Sequence, residues 1–201
     1  GSDPYSASKA AAEIAIESMR KSFFQNSKCK LVAARAGNVI GGGDWSANRI
    51  IPDCVRALVS KTPIEVRNPH ATRPWQHVLE PLSGYIQIAD YLLDSPAKFN
   101  GAWNFGPSES DKYSVLDVAN KAVEVWGSGE IKIDKVSPKM HEAGLLHLNC
   151  DKAKSQMNWS PMWNFEQTLT NTVSWYRQVH DGKRIQELSE SQINEYMGTK
   201  N

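Results

Sequence analysis

Cysteine, long apolar runs and an excess of one charge sign are all scarce in this sequence. The three cysteines, Cys29, Cys54 and Cys150, lie far apart and include no CxxC pair, which argues against a disulfide framework and against a zinc site. No apolar run approaches the roughly 20 residues needed to cross a bilayer, and the N-terminus lacks a signal-peptide pattern. We therefore expect a cytoplasmic protein without a metal site.

The charges of the chain nearly cancel. Lysine and arginine total 23 against 22 acidic residues, a formal net charge of +1, and no stretch concentrates the basic residues on one face. A nucleic-acid partner and a polybasic membrane surface are therefore not expected. The length of 201 residues and the hydrophobic share of 40% are sufficient for a buried core.

Periodicity predicts a chain in which strands alternate with helices. This alternation indicates an α/β protein with parallel strand pairing. The predicted extended segments are the start of 31–40, then 63–68, 74–79, 101–107 and 131–136. The predicted helices are a first one starting at Pro4, then 51–58, 80–93, 114–125, 151–157 and 165–176.

The first helix carries the pattern YxxxK. Asp3 is a suitable N-cap and Pro4 suits the first turn, so Tyr5 and Lys9 lie about one turn apart on one face. A lysine ammonium beside a tyrosine favours the phenolate form, which can accept a hydroxyl proton. By composition alone, an ordinary solvated helix face explains the pair about as well.

Polar and flexible residues follow the first predicted strand. The segment RAGNVIGGGDW, 35–45, places them at the carboxyl end of a strand, where open α/β sheets bind ligands. The glycines Gly41 to Gly43 let the backbone approach a ligand, and their N–H groups suit a phosphate. A plain tight turn is the alternative explanation for the three glycines.

A further stretch, RNPHATRPWQHVLEPL, combines an arginine with stiff backbone. Arg73 precedes Pro74 and Trp75, an arrangement that suits a guanidinium directed at a diphosphate. His77 lies inside an extended apolar piece. We expect it to be a hydrogen-bonded core histidine and not a catalyst.

Together these stretches resemble the nucleotide-sugar enzymes of the extended short-chain dehydrogenase/reductase family, also called the NAD-dependent epimerase/dehydratase family. The resemblance is closest to members that dehydrate a CDP-linked hexose, and RPWQHVLEPL is its most specific part. The matching stretches occur in family order over most of the chain. They are DPYSASKAAAE, RAGNVIGGGDW with NRIIPD, RNPHATRPWQHVLEPL, WNFGP, HEAGLLHLNCDKA and MNWSPMW.

The resemblance implies roles for individual residues. Tyr5 corresponds to the catalytic base or acid at the sugar O4, and Lys9 to the residue that supports it and holds the nicotinamide ribose. Val39 joins these two residues in the implied NAD site. The implied substrate-binding residues are Asn38, Arg49, Arg73, His141 and Glu142.

The resemblance also implies a reaction and a domain plan. In the family, the sugar is oxidised at C4, water is eliminated across C5 and C6, and hydride returns at C6, with NAD carrying the hydride. The implied fold is the C-terminal part of a Rossmann-like parallel sheet plus a smaller α/β substrate lobe. Residues 1–45 would belong to the NAD-binding domain and 46–201 mainly to the lobe, with 75–107 returning to the Rossmann sheet.

Three elements of the family pattern have no counterpart in the sequence. They are the glycine-rich NAD fingerprint, the Asp and Glu acid and base pair that lies before the YxxxK helix, and the serine or threonine that completes the tyrosine site. We therefore expect the chain to be the C-terminal portion of a larger enzyme, unable to bind NAD tightly or to turn over alone. Another epimerase or dehydratase of the family, or a non-catalytic nucleotide-sugar binding module, are the alternatives.

Apolar residues on the first helix predict burial on two sides. Extended family members commonly dimerise through this helix, so the resemblance implies a homodimer. A helix sandwiched within one chain is the other explanation. The two stripes are Ala7, Ala11 and Ile14, and Ala12, Ile16, Met19 and Phe23.

Overall fold

The computed structural model describes residues 3–95, 97–108, 113–133 and 148–198, and over these ranges helices and strands alternate, which confirms the predicted α/β class. The helices are α1 (Pro4–Met19), α2 (Ile50–Val59), α3 (Leu79–Asp94), α4 (Val115–Trp126), α5 (Asp151–Met157), α6 (Phe165–His180) and α7 (Ile185–Gly198). The strands are β1 (Val32–Ala36), β2 (Asn38–Ile40), β3 (Ile64–Val66), β4 (Thr72–Arg73), β5 (Trp75–His77), β6 (Gly101–Phe105), β7 (Tyr113–Ser114) and β8 (Ile131–Ile133).

Parallel pairing dominates the described strands. β1 pairs with β6, β2 with β5 and β3 with β8 in parallel, whereas β4 pairs with β7 in antiparallel fashion. The chain changes partner at Gly37, because the Gly37 N–H donates to Phe105 O at 3.3 Å and the Asn38 N–H donates to Pro74 O at 2.9 Å. A Cβ at Gly37 would lie 2.7 Å from Pro74 O, so this crossing point requires glycine.

Local capping explains where several helices begin. Asp3 caps α1 through a 2.9 Å bond from a first-turn N–H, and proline follows it at the first helical position. Ser114 and Asp117 form a capping box at the start of α4, as the predicted cap at Ser114 requires. An asparagine and glutamine pair, Asn164 and Gln167, does the same for α6.

Two buried clusters stabilise the described part of the chain. The larger one lies where α2, α4 and α6 pack on one another and on β2, β3 and β5, and the smaller one lies between α3, β6 and α5. No described helix has both the length and the apolar character needed to span a membrane. Fully buried members of the two clusters include Val55, Val118, Leu169 and Val173, and Trp103, Phe105 and Met157.

Of the two explanations for the apolar stripes of the first helix, the one that sandwiches the helix within a single chain is wrong for the described residues. No residue of α1 is buried, and the side chains of Ile14 and Phe23 are 72% and 69% exposed. The physical reason is that α1 packs appreciably against one strand only, β1, and otherwise continues into a π-helical turn at Arg20–Phe24. Both apolar stripes therefore face outward in this chain.

Candidate functional site

Tyr5 and Lys9 lie on one face of α1, as their spacing predicts. The cap at Asp3 fixes the start of the helix, which places Tyr5 in its first turn. Lys9 Nζ lies 5.6 Å from the centroid of the Tyr5 ring, a cation over an aromatic face. The Tyr5 side chain is 72% exposed and lines a large cavity. The pair is therefore accessible to a ligand.

This cavity has a volume of about 1450 Å³ and collects residues from distant parts of the sequence. Tyr5 lines it together with residues 36–42, which include β2. The N-terminal half of α2 and the segment 62–68 around β3 line it as well. Of the residues predicted from sequence, the cavity brings together Tyr5, Asn38, Val39, Arg49 and Arg73.

β2 presents two of these residues at the cavity. Asn38 is half-buried and aligns with Trp75 of β5, while Val39 is 41% exposed and aligns with Gln76. Ile40 is buried, and Val39 between it and Asn38 points to the opposite face of the strand. All three residues line the cavity, so this short strand borders it along its whole length.

Three arginines give the cavity wall its positive charge. Arg73 is half-buried on β4, with its Nη1 donating to Thr72 O at 2.8 Å. Arg49 occupies the N-cap position of α2 and makes no side-chain cap there, so the positive end of the helix dipole faces the same space. Arg67 follows β3, and its Nη1 lies 3.5 Å from Asn48 Oδ1. These groups suit a diphosphate.

Four further charged residues of the cavity form ion pairs with one another. Arg56 forms an ion pair with Asp53 and donates to the carbonyls of Trp45 and Ser46 at 3.0 and 3.2 Å. Across the β3–β8 pair, Lys132 Nζ lies 3.5 Å from Glu65 Oε1. Arg56 therefore has a structural task, while the Glu65 and Lys132 pair lies at the end of the cavity lined by β3.

The three glycines after β2 are needed mainly for packing. A Cβ at Gly41 would lie 2.8 Å from Val78 Cγ1, and one at Gly42 would lie 2.2 Å from Trp175 Cδ2. Gly43 has a φ of 91°, a conformation that favours glycine. Gly41 and Gly42 also line the cavity. These two glycines are therefore closely packed against Val78 and Trp175 and at the same time border the cavity.

His77 is a core residue, which confirms the interpretation from the sequence. Its side chain is 1% exposed, its Nδ1 accepts the Leu79 N–H at 3.3 Å, and its ring contacts Trp163 edge to face at 4.7 Å. Burial lowers the pKa of His77 to about 4. The imidazole is therefore neutral near pH 7.

Some candidate residues lie outside this description, and others were missed. His141 and Glu142 fall outside the described residues. Sequence reasoning missed Arg67 and Lys132 as cavity residues. Arg67 follows a strand directly, so the rule that ligands bind at carboxyl ends of strands would have identified it. Among the residues described, no group of three histidines, cysteines or carboxylates could hold a metal ion.

Comparisons with known proteins show which proteins this chain resembles. The CDP-glucose 4,6-dehydratase of Salmonella typhimurium is 42% identical to the chain over 98% of the chain and 56% of the relative's length. The resemblance to an enzyme of this kind, predicted from sequence, is thereby confirmed. The chain spans about half the length of the curated relatives it matches.

Solved structures show the same fold. A crystal structure of dTDP-glucose 4,6-dehydratase from Bacillus anthracis, in complex with NAD, matches with a TM-score of 0.70 at 21% identity over 90% of this chain and 54% of that one. A UDP-N-acetylglucosamine 4-epimerase from Methanobrevibacter ruminantium, in complex with UDP-N-acetylmuramic acid, matches with a TM-score of 0.73 at 20% identity over 89% of this chain and 55% of that one. The family model for GDP-mannose 4,6 dehydratase matches residues 1–172. The chain therefore belongs to the GDP-mannose 4,6-dehydratase family.

Proposed function

We propose that this chain forms the sugar- and diphosphate-binding part of a CDP-glucose 4,6-dehydratase. The observation that carries the proposal is the cavity that joins Tyr5 to Arg49 and Arg73, together with the 42% identity to such an enzyme. In a protein of the relatives' full length, the reaction would convert CDP-D-glucose to CDP-4-keto-6-deoxy-D-glucose. Residues 1–45 would contribute to the NAD-binding domain and 46–201 mainly to the substrate lobe, with 75–107 returning to the first domain.

The charges along the cavity suggest how a nucleotide sugar would lie. Arg49, Arg73 and the N-terminus of α2 would hold the diphosphate, because guanidinium groups and free helix N–H groups both bind phosphate oxygens. The sugar would then extend toward Asn38 and Tyr5. His141 and Glu142 stay part of the proposed substrate site.

Tyr5 and Lys9 would act together on the sugar O4. The Tyr5 hydroxyl is accessible at the cavity, and Lys9 Nζ lies 5.6 Å from the centroid of its ring, so Tyr5 is placed to take up the O4 proton and return it. Asn38 would orient the sugar beside Tyr5. Placement of this kind contributes to rate because the reacting groups start in contact.

The residues around Tyr5 fit the nicotinamide end of NAD. Tyr5 offers a hydroxyl, Lys9 an ammonium for a ribose hydroxyl, and Val39 an exposed apolar side chain. NAD, when bound, supplies hydride acceptance and return. No described strand leads into the glycine fingerprint that holds the NAD pyrophosphate, so this chain alone should bind NAD weakly.

Turnover by the full-length protein tests the proposal. With NAD present, CDP-glucose should yield the 4-keto-6-deoxy product by NMR, and dTDP-glucose should react more slowly. Tyr5→Phe should lower kcat by roughly 10²–10⁴-fold while CDP affinity is kept, because only proton transfer is lost. Tyr91→Phe, a substitution outside the cavity, is the matched control. Inversion at C4 without dehydration, or near-normal turnover by Tyr5→Phe, would refute the proposal.

A further inference from the structure

Loop 41–49 connects two of the proposed substrate-binding residues. It begins after β2, which carries Asn38, and ends at Arg49, the N-cap of α2. Gly41, Gly42 and Asp44 of the loop line the cavity. The position of this loop therefore determines where the Arg49 guanidinium lies relative to Asn38.

Tyr176 of α6 contacts the loop without itself lining the cavity. Its hydroxyl lies 2.6 Å from Asp44 O and 3.2 Å from Gly41 O, and its side chain is 1% exposed. Burial raises the pKa of Tyr176 to about 12, so the hydroxyl keeps its proton and donates it. Since one hydroxyl has one proton, the shorter contact to Asp44 O is the principal bond.

Arg56 of α2 contacts the next two residues of the same loop. Its guanidinium donates to Trp45 O and Ser46 O at 3.0 and 3.2 Å. The Trp45 ring in turn meets the Tyr176 ring edge to face, with centroids 5.1 Å apart. Side chains from two helices thus donate to three carbonyls of one loop, at positions 44, 45 and 46, and the Tyr176 hydroxyl also lies near the carbonyl at position 41.

A second aromatic residue of α6 supports the loop from behind. The Trp175 ring fills the space beside Gly42, where a Cβ would lie 2.2 Å from Cδ2. Trp175 Nε1 donates to Ser189 Oγ of α7 at 3.1 Å. The C-terminal helices therefore form the back wall of the loop, far from Tyr5 in sequence.

We propose that Tyr176 and Arg56 are positioning residues, which hold loop 41–49 so that Arg49 and the N-terminus of α2 meet the diphosphate. The inference rests on the proposed function, because it assigns these residues to the same nucleotide-sugar site. In this proposal, neither residue contacts the reacting atoms. Their effect is on affinity, through the shape of the loop.

Binding of CDP to the chain, measured by calorimetry, tests this role. Tyr176→Phe removes the hydroxyl and keeps the ring, so it should raise the Kd for CDP about fivefold, the effect of one lost hydrogen bond. In ¹⁵N relaxation of the free protein, residues 42–48 should become more mobile. Arg56→Met keeps the aliphatic part of the side chain and removes its hydrogen-bond donors. This variant should likewise raise the Kd for CDP and the mobility of residues 42–48.

Tyr91→Phe is the matched control. The Tyr91 hydroxyl also contacts a carbonyl, Met157 O at 3.4 Å, but it lies outside the cavity lining. This variant should leave the Kd and the loop relaxation unchanged. An unaltered Kd in both Tyr176→Phe and Arg56→Met, with binding intact in the unchanged protein, would overturn the positioning role alone. Absence of CDP binding by the unchanged protein would overturn the proposed function, and this inference with it.

Discussion

At the scale of single residues, burial separates the side chains that can meet a ligand from those that cannot. Tyr5 is 72% exposed beside the cavity, whereas His77 is 1% exposed, although both come from stretches that resemble family motifs. His77 Nε2 has no hydrogen-bond partner among the described residues. If His77 were charged, its Nε2 proton would therefore have no acceptor among these residues. Protonation of His77 should for this reason destabilise the folded state.

We expect His77 to make stability depend on pH. Its pKa is lowered from 6.5 to about 4 by burial, so between these values the unfolded chain binds more protons than the folded chain. The free energy of unfolding should fall as pH is lowered through this window, by about 2 kcal/mol between pH 7 and pH 5. Urea unfolding at the two pH values measures the difference.

Two variants identify His77 as the source. His77→Gln should flatten the pH dependence, since the titrating group is gone. The exposed His70 serves as the control, and His70→Gln should keep the slope of the unchanged protein. An equal slope in all three proteins would show that His77 does not cause the effect.

At the scale of elements, a buried carboxylate joins the last helix to the core. Glu80 of α3 is 0% exposed and accepts the N–H groups of Met162 and Trp163 at 3.1 and 2.8 Å. The Tyr196 hydroxyl of α7 donates to Glu80 Oε2 at 2.8 Å. This contact connects α7 to the start of α3, next to the strand that carries His77.

Tyr196→Phe should therefore weaken the attachment of α7. We expect a loss of about 1–3 kcal/mol in the free energy of unfolding, because a buried carboxyl oxygen loses one hydrogen-bond donor. Hydrogen exchange should rise along α7 before it rises elsewhere. Gln186→Ala, an exposed substitution on the same helix, should change stability by less than about 0.5 kcal/mol. Equal stability of Tyr196→Phe and the unchanged protein would contradict this account.

Helix and strand positions were largely predictable because they follow local signals. Caps and apolar periodicity place α2, α3, α4 and α6 within a few residues of the predicted bounds. The long-range hydrogen bonds between elements were not predictable in this way. Tyr176 reaches Asp44 and Tyr196 reaches Glu80 across long stretches of chain, and no local pattern encodes such pairs.

At the scale of the whole molecule, α1 is a helix without a buried residue. Ile14 and Met19 of α1 are 72% and 45% exposed, and Phe23 of the following π-helical turn is 69% exposed. Periodicity identified these residues correctly as apolar stripes, but a stripe does not identify the surface that covers it. The predicted homodimer through α1 stays a prediction.

We expect this surface to cause self-association. Ile14→Glu combined with Phe23→Glu places charge on both stripes and should shift the protein toward monomer in light scattering across a concentration series. Lys28→Glu, an exposed change beyond the helix, controls for altered net charge. A monomer at every concentration in the unchanged protein would argue against a homodimer through α1.

The candidate site was predictable in part. Tyr5, Asn38, Val39, Arg49 and Arg73 were identified from motifs, and the cavity brings all five together. Arg67 was missed although it follows β3 directly, whereas Lys132 reaches the cavity only through the pairing of β3 with β8. Residues that line a site through long-range pairing have no signature in a single sequence.

The central claim is that this cavity binds a CDP-linked sugar through Arg73 and Arg49. Titration of the chain with CDP, followed by ¹H–¹⁵N NMR, tests it most directly. The account predicts shifts at the amides of 38–42, Arg49, Arg67 and Arg73, larger for CDP than for thymidine diphosphate. In Arg73→Gln the affinity should fall at least about tenfold, because charge-assisted bonds to phosphate are lost. Absent shifts, shifts outside the cavity, or equal responses to the two nucleotides would contradict the claim.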